Sequence, residues 1–310
     1  MPARLLDGLA IANQIRAEVA PAVAAFTTRV GRPPGLGIVL VGDDPASDIY
    51  VRGKVKAAAE VGLRADLERL SATTSLAQLL EVVDRLNRSD VHDGILVQSP
   101  LPPALGDDAE RRVFDLVHPD KDVDGFHPIN VGRLVQNRAT LVAGTPSGVI
   151  ELLERSKIPI AGTRAVVIGR SDIVGKPLAL LLLHRHATVT ICHSRTVDLA
   201  GVAANADILV AAIGRPGFVT PAFVKPGAAV VDVGTTQVTD RAVVERLFPV
   251  GSKRREAFER RGSIVVGDVH PAVAEVAGAL SPVPGGVGPL TIAMLLKNTL
   301  AAAQLREGST

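Results

Sequence analysis

Residues 164–177, Arg164-Ala165-Val166-Val167-Ile168-Gly169-Arg170-Ser171-Asp172-Ile173-Val174-Gly175-Lys176-Pro177, decide the fold. After its first residue the run Arg164 to Ile168 is continuously apolar, as a strand covered on both faces requires. Gly169-Arg170-Ser171 breaks it as a turn, and helical spacing runs from about Lys176 to His184. Similar runs follow at Thr188 to Ile191, Ile208 to Ile213 and Ala229 to Val233, with Ser263 to Val266 expected as the last strand. Buried strands in this rhythm predict a Rossmann-type parallel sheet.

Upstream, Gly35 to Val41 reads as another strand, closed by the turn Gly42-Asp43-Asp44-Pro45. Helical spacing then covers Ala46 to Val61, with Gly62 as its C-cap, and a second helix covers Leu76 to Leu86 before the strand Gly94 to Val97. Strand, helix, helix, strand predicts a separate α/β layer. Leu290 to Gln304 reads as a last helix with no strand of its own to serve. Since 310 residues favour two domains, the expected division is 1–143 plus 281–310, and 144–280. The C-terminal helix returns to the first domain, with the substrate in the cleft between the two.

Composition narrows the classes. Apolar residues make up 47% of the chain and charged residues 21%, the balance of a globular protein. A net charge of +2 with scattered signs leaves no footprint for nucleic acid. Cys192 is the only cysteine, so an intrachain disulfide and a cysteine-built zinc site are both excluded, and no metal is expected. The apolar runs are too short to cross a bilayer. Residues Ala3 to Ala20, with Asp7 and Glu18 at helical spacing, read as a surface helix rather than a secretory signal. A cytoplasmic protein is expected.

The turn Gly169 to Gly175 lies between strand and helix, where the pyrophosphate of a dinucleotide meets helix N-terminal amides. Its middle position carries Ser171 instead of the glycine of the common motif. An NAD site places an acid about 20 residues on, to hold the ribose 2′-hydroxyl. Here that stretch reads Cys192-His193-Ser194-Arg195-Thr196, without a carboxylate. Ser194, Arg195 and Arg170 suit a 2′-phosphate, so NADP is the expected cofactor.

Tyr50, the only tyrosine, stands one helical turn before Lys54 on one helix face. Such a pair is common on solvated helices, and Gln98, Asp122 and Asp124 alone read equally well as turn or cap residues. Together the motifs are more specific. Asp44-Pro45-Ala46-Ser47 with Tyr50, Lys54 and Lys56 resembles the bifunctional methylenetetrahydrofolate dehydrogenase/methenyltetrahydrofolate cyclohydrolase family. So do Val97-Gln98-Ser99-Pro100-Leu101-Pro102, Lys121-Asp122-Val123-Asp124-Gly125-Phe126 and Thr145-Pro146-Ser147-Gly148. The Gly169 turn, the Cys192 to Thr196 stretch and Pro284-Gly285-Gly286-Val287-Gly288-Pro289 complete the resemblance, which spans nearly the whole chain in order.

The resemblance implies NADP-dependent oxidation of 5,10-methylenetetrahydrofolate and hydrolysis of the methenyl product to 10-formyltetrahydrofolate. It also implies a homodimer serving one-carbon supply to purine, methionine and histidine synthesis. Lys54 is then the base for hydrolysis, its pKa of ~10.4 lowered toward ~7–8 by desolvation and the cationic substrate. Gln98 holds the lysine amine, Tyr50 offers a ring for stacking, and Asp124 takes N–H bonds from the pterin edge. Val97, Ser99 and the backbone from Pro284 through Gly285, Gly286, Val287 and Gly288 complete the substrate set. Gly169, Arg170, Ser171, Ser194, Arg195 and Thr235 form the cofactor set.

The chain departs from the family pattern in three places. Ser99 replaces a leucine, Gly267-Asp268-Val269-His270-Pro271 differs from the usual ending of its motif, and the segment between Thr235 and Gly267 is long. That segment carries Lys253-Arg254-Arg255 and reads as a solvated helix, with an additional binding surface as the alternative. Ser99 leaves open a monofunctional dehydrogenase. A non-catalytic NADP sensor is the alternative from another class.

Overall fold

The structure, a computed structural model, describes residues 3–138 and 141–308 and, within them, every side chain but that of Ala46. Residues 1, 2, 139, 140, 309 and 310, which fall in the first expected domain, lie outside the described residues. In chain order the elements begin β1 (Arg4–Leu5), α1 (Gly8–Val30), β2 (Gly35–Val41), α2 (Pro45–Glu60), β3 (Arg64–Leu70), α3 (Leu76–Arg88) and β4 (Gly94–Val97). Next come α4 (Ala109–Leu116), α5 (Pro128–Val135), α6 (Gly144–Arg155), β5 (Arg164–Ile168), α7 (Gly175–His184), β6 (Thr188–Cys192) and α8 (Leu199–Ala203). The last are β7 (Ile208–Ala211), β8 (Ala229–Asp232), β9 (Thr236–Val238), α9 (Arg241–Leu247), α10 (Lys253–Arg261), β10 (Ile264–Val266), β11 (Ala279–Leu280) and α11 (Val287–Gly308).

By internal packing the chain divides into two compact units, Met1–Ile11 with Thr145–Thr291, and Ala12–Gly144 with Ile292–Thr310. This differs from the expected division at both ends. Residues 3–11 join the six-stranded unit because β1 pairs in parallel with β11. The second cut falls inside α11, at Ile292, instead of at residue 281.

The three-stranded unit has a parallel sheet of order β3-β2-β4. Every residue of β2 and β4 is buried, which explains their continuous apolar runs. β3 (Arg64-Ala65-Asp66-Leu67-Glu68-Arg69-Leu70) is the strand the sequence reading passes over. It lies at the sheet edge, where charged side chains reach water and discourage further pairing. The C-terminal part of α11 does return to this unit. Asn298 Nδ2 donates to the carbonyls of Val123 and Val142, both at 2.8 Å. Arg306 and Arg32 converge on the buried carboxylate of Asp93, each at 2.7 Å.

The six-stranded unit is a parallel sheet of order β1-β11-β8-β7-β5-β6. β5 and β7 are neighbours, and the chain runs from β5 to β6 on one side and to β7 on the other, the switch point at which such sheets bind ligands. β10 is not the last strand of this sheet. It pairs only with β9, antiparallel, and the sheet ends instead in the two-residue strands β11 and β1. The long segment before Gly267 carries α9 and α10 on that ribbon, around a core of Val238, Val244, Leu247, Phe258, Ile264 and Val266. Its basic run opens α10 after the N-cap Ser252. Arg254 donates to Val265 O, and Arg255 pairs with Glu245 at 2.7 Å, so the run is partly tied down as well as solvated.

The N-terminal segment forms the surface helix expected, but from Gly8 to Val30 instead of Ala3 to Ala20. α1 buries Ile11, Ala12, Ile15, Val19, Val23 and Phe26 along one side. No helix among the described residues is long and apolar enough to cross a membrane, and none of their His, Cys, Asp and Glu side chains forms a metal-holding group.

Candidate active site

α2 begins sharply. Asp44 accepts the Ser47 N–H at 2.8 Å and Pro45 opens the first turn, both helix-starting devices. That start sets the phase of the helix and places Tyr50 and Lys54 one turn apart. Gln98 follows directly on β4, and its backbone N–H continues the ladder to Val39 O at 2.9 Å. The two elements bring together residues 44 positions apart in the chain: Lys54 Nζ donates to Gln98 Oε1 at 2.9 Å. Gln98 Nε2 in turn donates to Ser99 O, which fixes the amide so that its oxygen faces the lysine.

Asp124 sits on a turn built by its neighbours. The buried carboxylate of Asp122 accepts the N–H groups of Phe126 (3.1 Å) and His127 (2.8 Å) and the side chain of Asn130 (2.9 Å). Gly125 has φ 69°, and a Cβ there would lie 2.4 Å from Ala143 N, so the turn tolerates only glycine. Asp122 is therefore committed to the backbone, whereas Asp124 interacts electrostatically with Lys54. Burial holds the Lys54 amine below the ordinary lysine range, with Asp124 pulling the other way. Burial likewise pushes the Asp124 carboxyl up to about 6, against the attraction of Lys54 and with a smaller push from Asp122.

Tyr50 is 47% exposed, so its ring is available for stacking. Val97 is buried in β4. Ser99 Oγ is buried and has no hydrogen-bond partner among the described residues. Tyr50, Lys54, Val97, Gln98, Ser99 and Asp124 all belong to the three-stranded unit. Pro284, Gly285, Gly286, Val287 and Gly288 fall in the six-stranded unit, where Gly285 O accepts the Leu9 N–H at 2.9 Å.

In the six-stranded unit, Gly169 follows β5 with φ 129°, and a Cβ there would lie 2.3 Å from Ala212 O. A Cβ on Gly175 would lie 2.2 Å from Gly169 O. The turn is thus stripped of side chains where backbone meets backbone. Ser171 Oγ accepts the N–H groups of Val174 (3.2 Å) and Gly175 (3.3 Å), so it satisfies two amides where the turn enters α7, whose N-cap residue is Val174. A cavity of about 280 Å³ at the β5–β7 switch point is lined by Gly169, Arg170, His193, Ser194, Ile213 and Arg215, among others. Ser171, Arg195 and Thr235 do not line it. The Thr196 hydroxyl accepts the His193 N–H at 2.9 Å, which closes the loop that carries Ser194 and Arg195 outward.

Residues 6–124 match the family model of the tetrahydrofolate dehydrogenase/cyclohydrolase catalytic domain, and residues 143–307 match that of its NAD(P)-binding domain. The chain belongs to the tetrahydrofolate dehydrogenase/cyclohydrolase family. Relatives include the bifunctional protein FolD of Koribacter versatilis, 56% identical over 310 residues and 100% of both chains. That of Solibacter usitatus is 53% identical, over 98% of this chain and 99% of the relative. Among solved structures, the Trypanosoma brucei methylenetetrahydrofolate dehydrogenase-cyclohydrolase complexed with NADP cofactor and inhibitor superposes with a TM-score of 0.88. It is 40% identical, with 99% of each chain covered.

Within this family fold, Arg215 and Phe218 also line the cavity at the switch point, and the sequence reading passes them over. The available signal is the turn Gly214-Arg215-Pro216-Gly217-Phe218 directly after an apolar strand, at a sheet position where such loops meet ligands. The guanidinium of Arg215 stacks on the Phe218 ring at 4.3 Å.

Proposed function

We propose that this family member carries out both steps: oxidation of 5,10-methylenetetrahydrofolate with NADP⁺, then hydrolysis of the methenyl product to 10-formyltetrahydrofolate. The observation that carries the reading is the 2.9 Å contact of Lys54 Nζ with Gln98 Oε1, on an amine whose charge is disfavoured by burial. A neutral amine can take a proton from the water that attacks the methenyl carbon, which an ammonium cannot. Gln98 fixes the direction of that amine. Asp124 accepts N–H bonds from the pterin edge, and Tyr50 stacks on the aminobenzoyl ring. Val97, Ser99 and the Pro284 to Gly288 backbone are the other residues this reading assigns to the substrate.

The cofactor supplies the hydride acceptor. The Gly169 turn, too tight for a side chain, fits a pyrophosphate; Arg170 lines the cavity beside it, and Ser171 holds the turn through the amides of Val174 and Gly175. Ser194 and Arg195 hold the 2′-phosphate that distinguishes NADP from NAD, and Thr235 contacts the cofactor beyond β8. The reading includes a cytoplasmic homodimer, which sedimentation of the purified chain tests in part.

A dehydrogenase lacking hydrolysis, or a non-catalytic sensor, has no use for the Lys54–Gln98 contact. The test follows methylenetetrahydrofolate oxidation with NADP⁺ and NAD⁺, and methenyl hydrolysis, for wild type and Lys54→Ala. NADP⁺ preference with hydrolysis lost in the variant is the expected result. Oxidation without hydrolysis in the wild type refutes the bifunctional reading, and no activity on either folate refutes the whole.

A further inference from the structure

Three successive backbone N–H groups, those of Ile213, Gly214 and Arg215, point at one carboxylate. Asp268 Oδ2 accepts from Ile213 at 2.7 Å and Gly214 at 3.1 Å, and Oδ1 accepts from Arg215 at 2.6 Å. Asp268 is completely buried, and no cation pairs with it among the described residues. A buried charge without a counter-ion needs such donors, and amides aimed at an anion form one of the stronger kinds of hydrogen bond. This arrangement is a nest of the kind that binds external anions, filled here by the protein's own side chain.

Asp268 is itself held in place. Its N–H donates to Asp232 Oδ1 at 2.9 Å, and that of Val269 to Asp232 Oδ2 at 2.9 Å. Asp232, at the end of β8, also accepts the Gly234 N–H at 2.9 Å, and its own N–H donates to Ser281 Oγ at 2.8 Å. The packing leaves no slack: a Cβ on Gly234 would lie 2.5 Å from the Asp268 carboxyl carbon, and one on Gly267 1.9 Å from Asp232 Oδ2. A rigid chain of contacts thus runs from the end of β8 to the 213–215 turn.

That turn follows β7 and faces the Gly169 turn across the switch point. Arg215 lines the cavity of about 280 Å³ and also an adjoining one of about 550 Å³. Its guanidinium lies on Phe218 and pairs with no carboxylate among the described residues. A cation steadied by an aromatic face and lacking an acidic partner suits an anionic group of a ligand.

We propose that Asp268 is a positioning residue for cofactor binding, which fixes the Ile213–Arg215 turn and thereby presents Arg215 to the phosphate groups of the nucleotide. The proposal rests on the reading that this cavity takes NADP. It accounts for a buried acid that neither chemical step uses.

The test measures KM for NADP⁺ and kcat of the dehydrogenase in wild type, Asp268→Asn, Arg215→Gln and the double variant. Methenyl hydrolysis, which uses no nicotinamide, reports whether Asp268→Asn has folded. Each single substitution is expected to raise KM for NADP⁺ about tenfold, the scale of one hydrogen bond to a charged group, with kcat within about twofold. The double variant is expected to be no worse than the poorer single one, because both act through Arg215. Additive losses overturn the positioning role, as does loss of both activities in Asp268→Asn, which would assign the residue to folding. An Arg215→Gln enzyme with the wild-type KM overturns the proposal however the aspartate variant behaves. A wild type that ignores NADP⁺ refutes the underlying reading of the cavity instead.

Discussion

Lys54 Nζ and Gln98 Oε1 are 2.9 Å apart, and the glutamine is oriented by its own second bond to Ser99 O. Replacing Gln98 by Glu puts a carboxylate where a neutral oxygen now sits. An opposite charge at that distance favours the ammonium and raises the lysine pKa by ~1–3 units. Hydrolysis by a neutral amine rises with pH through that pKa, so the rising limb of the Gln98→Glu profile moves to higher pH by about one unit or more. The measurement is methenyl hydrolysis against pH for both proteins. Coincident limbs would show that Lys54 is not the base.

Asp124→Asn moves the same limb the other way. The Asp124 charge favours the lysine ammonium, so its removal lets burial depress the Lys54 pKa further. The substitution also replaces one acceptor oxygen with a donor, and KM for the folate rises about tenfold if the pterin edge donates to it. A shifted pH limb with an unchanged KM would keep the electrostatic link and remove the pterin contact.

These pairs show what could be read along the chain and what could not. β2, β4, β5, β7 and β8 are buried on both faces, and burial writes itself into the sequence as an unbroken apolar run. β3 is invisible to that reading because charged residues, Arg64, Asp66, Glu68 and Arg69, break up its apolar ones at a sheet edge. β1 and β11 span two residues each, too short for any periodicity. Lys54 and Gln98 are 44 residues apart, so only the resemblance could join them; spacing gave a solvated pair with Tyr50. The Asp232–Asp268 link carries no local signal at all, since each aspartate alone reads as a turn residue.

Ser99 Oγ, buried and without a partner among the described residues, carries a desolvation cost of ~1–3 kcal/mol. Ser99→Ala removes the hydroxyl and is expected to stabilise the chain by about 1 kcal/mol, read from urea unfolding. A destabilised variant would mean that the hydroxyl has a partner such as an ordered water.

Cofactor choice is expected to turn on Arg195. A guanidinium on the 2′-phosphate contributes to NADP⁺ and not to NAD⁺, so Arg195→Ala lowers the preference for NADP⁺ about tenfold or more. The ratio of kcat/KM for the two cofactors is the measurement, and an unchanged ratio would move the selectivity to Arg170 and Ser194.

Asp232 makes stability depend on pH near neutrality. Burial pushes its carboxyl up to about 7, against the three amides it accepts, and the nearby Asp268 adds to the rise. Asp124 is pushed up to about 6, and burial raises Asp122 as well. An aspartate in the unfolded chain titrates at ~3.9, so between there and neutrality the folded state holds protons that the unfolded state has released. The stabilising contribution of Asp124 and Asp232 is complete below about pH 4 and is lost as pH rises through 6 and 7, by at most ~1.4 kcal/mol per pH unit for each group, and Asp122 acts in the same direction. Asp48 and Asp207 shift downward, but both are screened by solvent and titrate in acid, outside this window. Asp232→Asn removes one titrating group while it turns an amide donor toward backbone N–H groups. The variant is therefore less stable at every pH, yet its urea-unfolding free energy falls less between pH 6 and 8 than that of the wild type. Parallel curves would remove Asp232 as a source of the slope.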